Sequence, residues 1–335
     1  AVGVVDNPPT IAAVDFARHA KTALEIARQG LVLLKNDSSI LPLEQSISRI
    51  AVIGGNAHIG VLSGGGSAHG TPSHGPVTIR PIGGRGPFAA FRRAVNFPSC
   101  PLTEIRKQAP DAEVLYGSGA FPLDAADLAS SSDVAIIFVT RHELEGYDVP
   151  DMHLPHGQDS LIAAVAAANP RTIVVLEAGN SVAMPWLNHV AAVLSARYPG
   201  QEGGTAIAEI LFGDVNPSGH LPITFPISNA ATMRPQLPNR GAEPEAAVSI
   251  DYVEDANVGY RWYAASGTRP LYPFGHGLSY TEFAYRDLKV SGGENVAVEF
   301  VAENTGTAKR GGRSVSLSNR CAKRTNHEVG RVCAI

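Results

Sequence analysis

Cysteine is scarce: three in 335 residues, with Cys100, Cys321 and Cys333 at irregular spacing. An odd count without a Cys-x-x-Cys pair supplies neither a disulfide framework nor a thiolate metal site, so the three read as free thiols. Charge is thin as well, at 17% of residues, against about 25% in an ordinary soluble domain. With a net charge of −4 there is no electrostatic basis for a nucleic-acid partner or for an anionic membrane surface. Apolar runs such as Val134 to Val139 and Ile173 to Leu176 fall far short of the ~20 residues a membrane helix needs. Despite 11 histidines there is no His-Glu-x-x-His pair, and His69 and His74 lie in a loop without acidic partners; no metal and no cofactor are expected. The chain opens on Ala1 without a charged n-region or apolar h-region, so no secretion signal is visible and the compartment stays open between cytoplasm and periplasm or exterior.

What is present is a recurring β-rich run: Gly30-Leu-Val-Leu-Leu-Lys35, Ile50-Ala-Val-Ile53, Val114-Leu-Tyr116, Val134 to Val139, Thr172-Ile-Val-Val-Leu176 and Ala192-Val-Leu-Ser195. Helical spacing fills Val14 to Gln29, Gly157 to Ala168, Val182 to His189 and Thr205 to Phe212. Strands apolar on both faces and separated by helices predict an α/β domain, a mostly parallel sheet with helices on both faces. In such sheets ligands are handled by loops past the carboxyl ends of strands. Here those loops are Gly54 to Gly70 and Thr140 to Pro155. Around Ser228 to Asp255 the sequence turns irregular, and from Leu288 an alternation through Val290, Val296, Val298 and Phe300 predicts antiparallel strands with one buried face, the start of a small β-sandwich. After Gly312 the alternation fails in a basic tail that cannot complete it. The division expected is 1–30 as a linker and helix, 31–226 as the α/β domain, 227–285 as a connecting segment and 286–335 as the incomplete sandwich.

Four segments together resemble the C-terminal region of glycoside hydrolase family 3, of β-glucosidase type. They are Ala27-Arg-Gln-Gly-Leu-Val-Leu-Leu-Lys-Asn36 with Leu41-Pro-Leu43; Ile50-Ala-Val-Ile-Gly-Gly-Asn-Ala57 with Ser63-Gly-Gly-Gly-Ser67; Glu145-Gly-Tyr-Asp148 with Leu154-Pro155; and Pro199-Gly-Gln-Glu-Gly-Gly204 followed by Pro273-Phe-Gly-His-Gly-Leu-Ser-Tyr280. Their order and spacing carry the resemblance over about residues 1 to 312. It implies a retaining hydrolase of terminal β-D-glycosidic bonds whose nucleophile, an Asp on a preceding (β/α)8 barrel, lies outside this region. It also makes the trailing domain fibronectin type III-like. A barrel takes about 250 residues, and only the first thirty here match its trailing edge. The partners implied are a β-glucoside or oligosaccharide, and for the uncovered face either the barrel or a second copy of the chain.

Retaining hydrolysis needs a protonated carboxyl beside the leaving oxygen, roughly 5 to 5.5 Å from the nucleophile. The resemblance assigns that acid/base role to Glu145, whose ionisation is expected to be suppressed in a closed, partly apolar site. Glu143, two residues earlier and on the same side of an extended loop, is the fallback acid. The glycine-rich loop of Ser63, Gly64, Gly65, Gly66 and Ser67 is expected to rim the sugar entrance on the same face. It lacks the Gly-x-x-x-x-Gly-Lys-Ser/Thr pattern of a phosphate cradle. Asp148 is a sugar contact or, before Val149-Pro150, a turn former. Trp186 reads as core and Glu202 as a helix-entry acid. Two readings from other classes stand beside this one: a non-catalytic carbohydrate-binding or assembly module, and an esterase-type hydrolase using a loop serine, which has no Gly-x-Ser-x-Gly elbow to rest on.

Overall fold

The structure is a computed structural model that describes residues 13–67, 69–83, 92–146, 149–235, 249–292 and 297–306. The chain runs α1 (Phe16–Gly30), β1 (Val32–Asn36), β2 (Arg49–Gly54), β3 (Val61–Ser63), β4 (Thr78–Pro81), β5 (Arg93–Phe97), α2 (Pro101–Gln108), β6 (Glu113–Gly117) and α3 (Pro122–Ser130). It continues with β7 (Val134–Arg141), α4 (Gln158–Ala168), β8 (Thr172–Ala178), β9 (Ala192–Ser195), α5 (Gly203–Leu211), α6 (Tyr260–Ser266), β10 (Phe283–Ser291) and β11 (Ala297–Asn304).

Six strands make one sheet in the order β1-β9-β8-β7-β2-β6. All neighbours in it are parallel except the edge strand β1, which runs antiparallel to β9 with Val32 opposite Ser195. The period-two geometry of a strand sends successive side chains to opposite faces, and both faces are apolar. Ile136 and Phe138 pack with Ile173, Val175, Ile105 of α2 and Ile207 of α5. Ile137 and Val139 pack with Val174, Leu176, Ala129 of α3 and Ile162 of α4. Each such side chain taken fully out of water contributes roughly 1.5–3 kcal/mol, which is why the apolar runs become the central strands.

Several elements differ from the sequence expectation. Val182–His189 is not a helix; only Leu187–His189 forms a short 3-10 turn. Pro185 cannot donate a helical hydrogen bond, and Ala183 N instead donates to Met152 O at 2.8 Å. Helices α2 and α3 escape apolar spacing, yet each carries proline in its first turn, where the missing N–H costs nothing. The glycine loop does not leave the parallel sheet directly. It follows β3, which belongs to a separate antiparallel sheet of order β3-β5-β4. The alternation from Leu288 does form an antiparallel pair, β10 with β11, but Leu288, Val290, Val298 and Phe300 all remain exposed. Two strands alone cannot cover a face. The pair is further bent by a register shift between Arg286 and Lys289, where Asp287 has φ of 57°.

Candidate active-site cleft

Parallel strands place all their carboxyl ends on one edge, and the sheet order reverses about β2, with β7 on one side and β6 on the other. Past that edge a cleft of about 720 Å³ is lined by Ser63, Gly64 and Gly65 after β3, Phe97 at the end of β5, Glu143 to Glu145 after β7, Gly179 and Asn180 after β8, and Tyr198 after β9. The loops after β3 and β7 are joined there. Gly65 N donates to Glu143 O at 2.9 Å, and Gly65 forms an isolated parallel bridge with Leu144.

Glu145 is exposed where the chain turns into Gly146, whose φ is 79°. Its Oε2 accepts from Ser67 N at 2.8 Å and from the Ser67 hydroxyl. Those two donors, the hydroxyl first, hold the Glu145 carboxyl below the usual carboxylate range. The sequence expectation was the reverse. Suppressed ionisation needs desolvation, and at this exposed carboxylate the two Ser67 donors outweigh it. Glu143 also lines the cleft but in another setting: it is nearly buried and ion-paired with Arg141 at 2.5 Å. Gly66 makes the turn between these partners with φ of 93°, a conformation glycine adopts without strain. Asp148 lies outside the described residues.

Beneath the cleft stand groups to which neither periodicity nor motif points. Glu177, on β8, is fully buried; its Oε2 accepts from Leu62 N at 2.8 Å while Oε1 has no partner among the described residues. Burial pushes its carboxyl up to about 8, the Leu62 hydrogen bond opposing only part of that. Arg197, with φ of 52°, donates from Nη1 to Gly179 O at 3.0 Å, and burial lowers its pKa. Burial likewise raises the Tyr198 phenol and lowers His142. The signal available in the sequence was position alone: Glu177 and Arg197-Tyr198 lie at or just beyond the ends of apolar strands. Trp186 is core, its Nε1 donating to Asp159 Oδ1 at 2.8 Å, and Glu202 stands at the N-cap of α5, its carboxyl raised by burial. Among the described residues no group of three or more His, Cys, Asp or Glu is placed to hold a metal ion, and no helix is long and apolar enough to cross a membrane.

Comparison with known proteins agrees with this fold. The profile described as the glycosyl hydrolase family 3 C-terminal domain matches residues 31–280. The chain is 37% identical over 289 residues to thermostable β-glucosidase B of Acetivibrio thermocellus, covering 85% of this chain and 36% of that protein. It is 43% identical over 205 residues to β-glucosidase B of Emericella nidulans, covering 57% of this chain and 24% of that one. Among solved structures, DesR, a β-glucosidase from Streptomyces venezuelae in complex with D-glucose, superposes with a TM-score of 0.74 at 26% identity, over 91% of this chain and 51% of its own. β-Glucosidase 3B from Thermotoga neapolitana in complex with α-D-glucose gives 0.71 at 28% identity, over 91% and 44%. The chain thus spans about a quarter to a third of these curated relatives and about half of the solved chains.

Proposed function

Because the chain belongs to glycoside hydrolase family 3, as its C-terminal domain, we propose that it supplies the acid/base half of a retaining β-glucosidase, with Glu145 protonating the leaving oxygen of a terminal β-D-glucoside. The observation that carries this reading is the place of Glu145: exposed at the rim of a cleft, in a turn four residues past the carboxyl end of β7. A carboxyl there is free to meet a sugar held between this cleft and the segment that brings the nucleophile. Phe97 and Tyr198 offer ring faces in the cleft, and Asn180 a paired donor and acceptor for hydroxyls. In the first step Glu145 gives its proton to the departing oxygen as the glycosyl-enzyme forms; in the second, as carboxylate, it takes a proton from the attacking water. With Ser67 holding it ionised, the carboxyl must leave Ser67 and enter a drier setting before it acts as the acid.

The test is a fusion of this chain behind the preceding part of the Acetivibrio thermocellus relative, assayed on aryl β-glucosides with good and poor leaving groups. Glu145→Gln should lower turnover of the poor leaving groups by roughly 10²–10⁴ and leave the first step with an activated phenol nearly intact. Equal first-step losses, read as kcat/KM, on both substrates, or none, would remove Glu145 from the role. The chain on its own should turn over these substrates several powers of ten more slowly than the fusion, since it has the acid without the nucleophile.

A further inference from the structure

Beside the exposed carboxylate the cleft wall holds a buried ion pair that proton transfer does not use. Arg141, the last residue of β7, has a side chain only 5% exposed, and Glu143 only 9%. Arg141 Nε donates to Glu143 Oε1 at 2.6 Å, and its Nη2 approaches the same oxygen at 2.5 Å and donates to Ser181 O at 2.8 Å. Tyr198 closes the arrangement from β9: its hydroxyl donates to Arg141 O at 2.7 Å and accepts from Glu143 N at 3.0 Å. The surrounding backbone leaves room for these groups and no more. A Cβ on Gly179 would stand 2.5 Å from Glu143 Oε2 and 2.9 Å from the Tyr198 ring, and one on Gly64 would stand 2.8 Å from the same ring.

We propose that Glu143 is a positioning residue, clamped by Arg141 and Tyr198 so that residues 142–145 stay paired with the glycine loop and present Glu145 at the cleft rim. The proposal rests on the reading of Glu145 as the acid/base. Held through one oxygen by a guanidinium, Glu143 cannot swing toward a leaving group. Charge-assisted hydrogen bonds of this kind are stronger and shorter than neutral ones, and removing one partner strands the other as an unpaired buried charge. The order is transmitted through the backbone: Gly65 N is bonded to Glu143 O, and two residues further along each loop Ser67 meets Glu145. Arg197, whose Nε and Nη2 are buried without partners among the described residues, adds a second positive charge whose attraction to Glu143 is felt.

The experiment is carboxyl-carbon NMR titration of Glu145 in the full chain, its signal assigned by loss in Glu145→Gln, together with amide hydrogen exchange. Tyr198→Phe keeps the ring and deletes the bridging hydroxyl. Exchange at Gly65 and Ser67 should quicken at least about tenfold relative to β8 amides, and the Glu145 midpoint should rise toward that of a free carboxylate as Ser67 lets go. Glu143→Gln, near-isosteric but leaving the Arg141 charge unpaired, should give both changes at least as strongly and serves as the second test. Lowered stability with Glu145 titration and relative exchange unchanged would overturn the proposal and leave the pair purely structural. Neither readout needs turnover, so failure here is distinct from failure of the leaving-group test, which bears on Glu145 itself.

Discussion

At the scale of single residues, Glu145 and Ser67 set a question of charge. A carboxylate with a hydroxyl and an amide donating to one oxygen is stabilised in its ionised form, and the hydroxyl is the larger influence. Ser67→Ala should therefore raise the Glu145 pKa, the remaining amide keeping it somewhat below a free glutamate. In the fusion described above, the basic limb of the kcat/KM profile, where the acid loses its proton, should move upward with it. A limb that stays in place would mean that the contact with Ser67 is not kept in the assembled enzyme. Glu145 was legible from the Glu-Gly-Tyr-Asp segment, whereas its present ionisation was not, because that depends on Ser67, 78 positions away in the chain. Glu143 was legible only as a carboxylate near the site; its pairing with Arg141 and with Tyr198, 55 positions on, exists only after β7 and β9 are laid in one sheet.

At the scale of elements, Glu177 ties the end of β8 to β3, and through β3 to the glycine loop. Its folded pKa, about 8, stands above the ordinary 4.5, so the folded state binds the proton more tightly. That contribution to stability is complete below about pH 4.5 and is lost as pH rises through about 8. A shift of this size corresponds to something on the order of 5 kcal/mol at 1.36 kcal/mol per unit. Glu177→Gln keeps an acceptor for Leu62 N and carries no charge, so the variant should be the more stable protein at pH 7 and above and nearly equal to the parent at pH 4. Denaturant unfolding at pH 4, 7 and 9 checks this; parallel profiles for the two proteins would show that Glu177 does not titrate as its burial requires. The central strands were readable from their β-branched runs and α1, α4 and α5 from helical spacing, α4 and α5 burying apolar faces and α1 only Ala27. The short β3, β4 and β5 were not, because their pairing brings together segments as distant as Val61 and Phe97.

At the scale of the whole molecule, a well-buried α/β body carries elements that are far from covered. Tyr285, Leu288 and Val290 on β10 are 70%, 68% and 63% exposed, and Phe283, Val298 and Phe300 also face solvent. Residue by residue this is ordinary, but so many large apolar groups on one two-stranded ribbon mark a surface made to be covered. The 35.1 kDa chain should therefore self-associate when alone, its elution volume in size-exclusion chromatography decreasing as concentration rises. Replacing Leu288 and Val290 together by Lys should return it to the monomer position. A monomer at every concentration in the parent would contradict the expectation.

The sequence by itself determined the layered α/β class, the segments that become its central strands and α1, α4 and α5, and the two loops that meet at the cleft, because local apolar periodicity and turn chemistry act over a few residues. It also carried the family resemblance, which is written in short contiguous segments. Only the tertiary structure decided that β1 turns antiparallel at the sheet edge, that Val182–His189 does not form the expected helix, that Glu143 and Glu145 occupy different electrostatic settings two residues apart, and that Glu177 is sealed beneath the site. Each of these depends on hydrogen-bond partners and desolvation supplied by chain segments brought together from tens to more than a hundred residues apart, and such contacts leave no periodic trace along the chain.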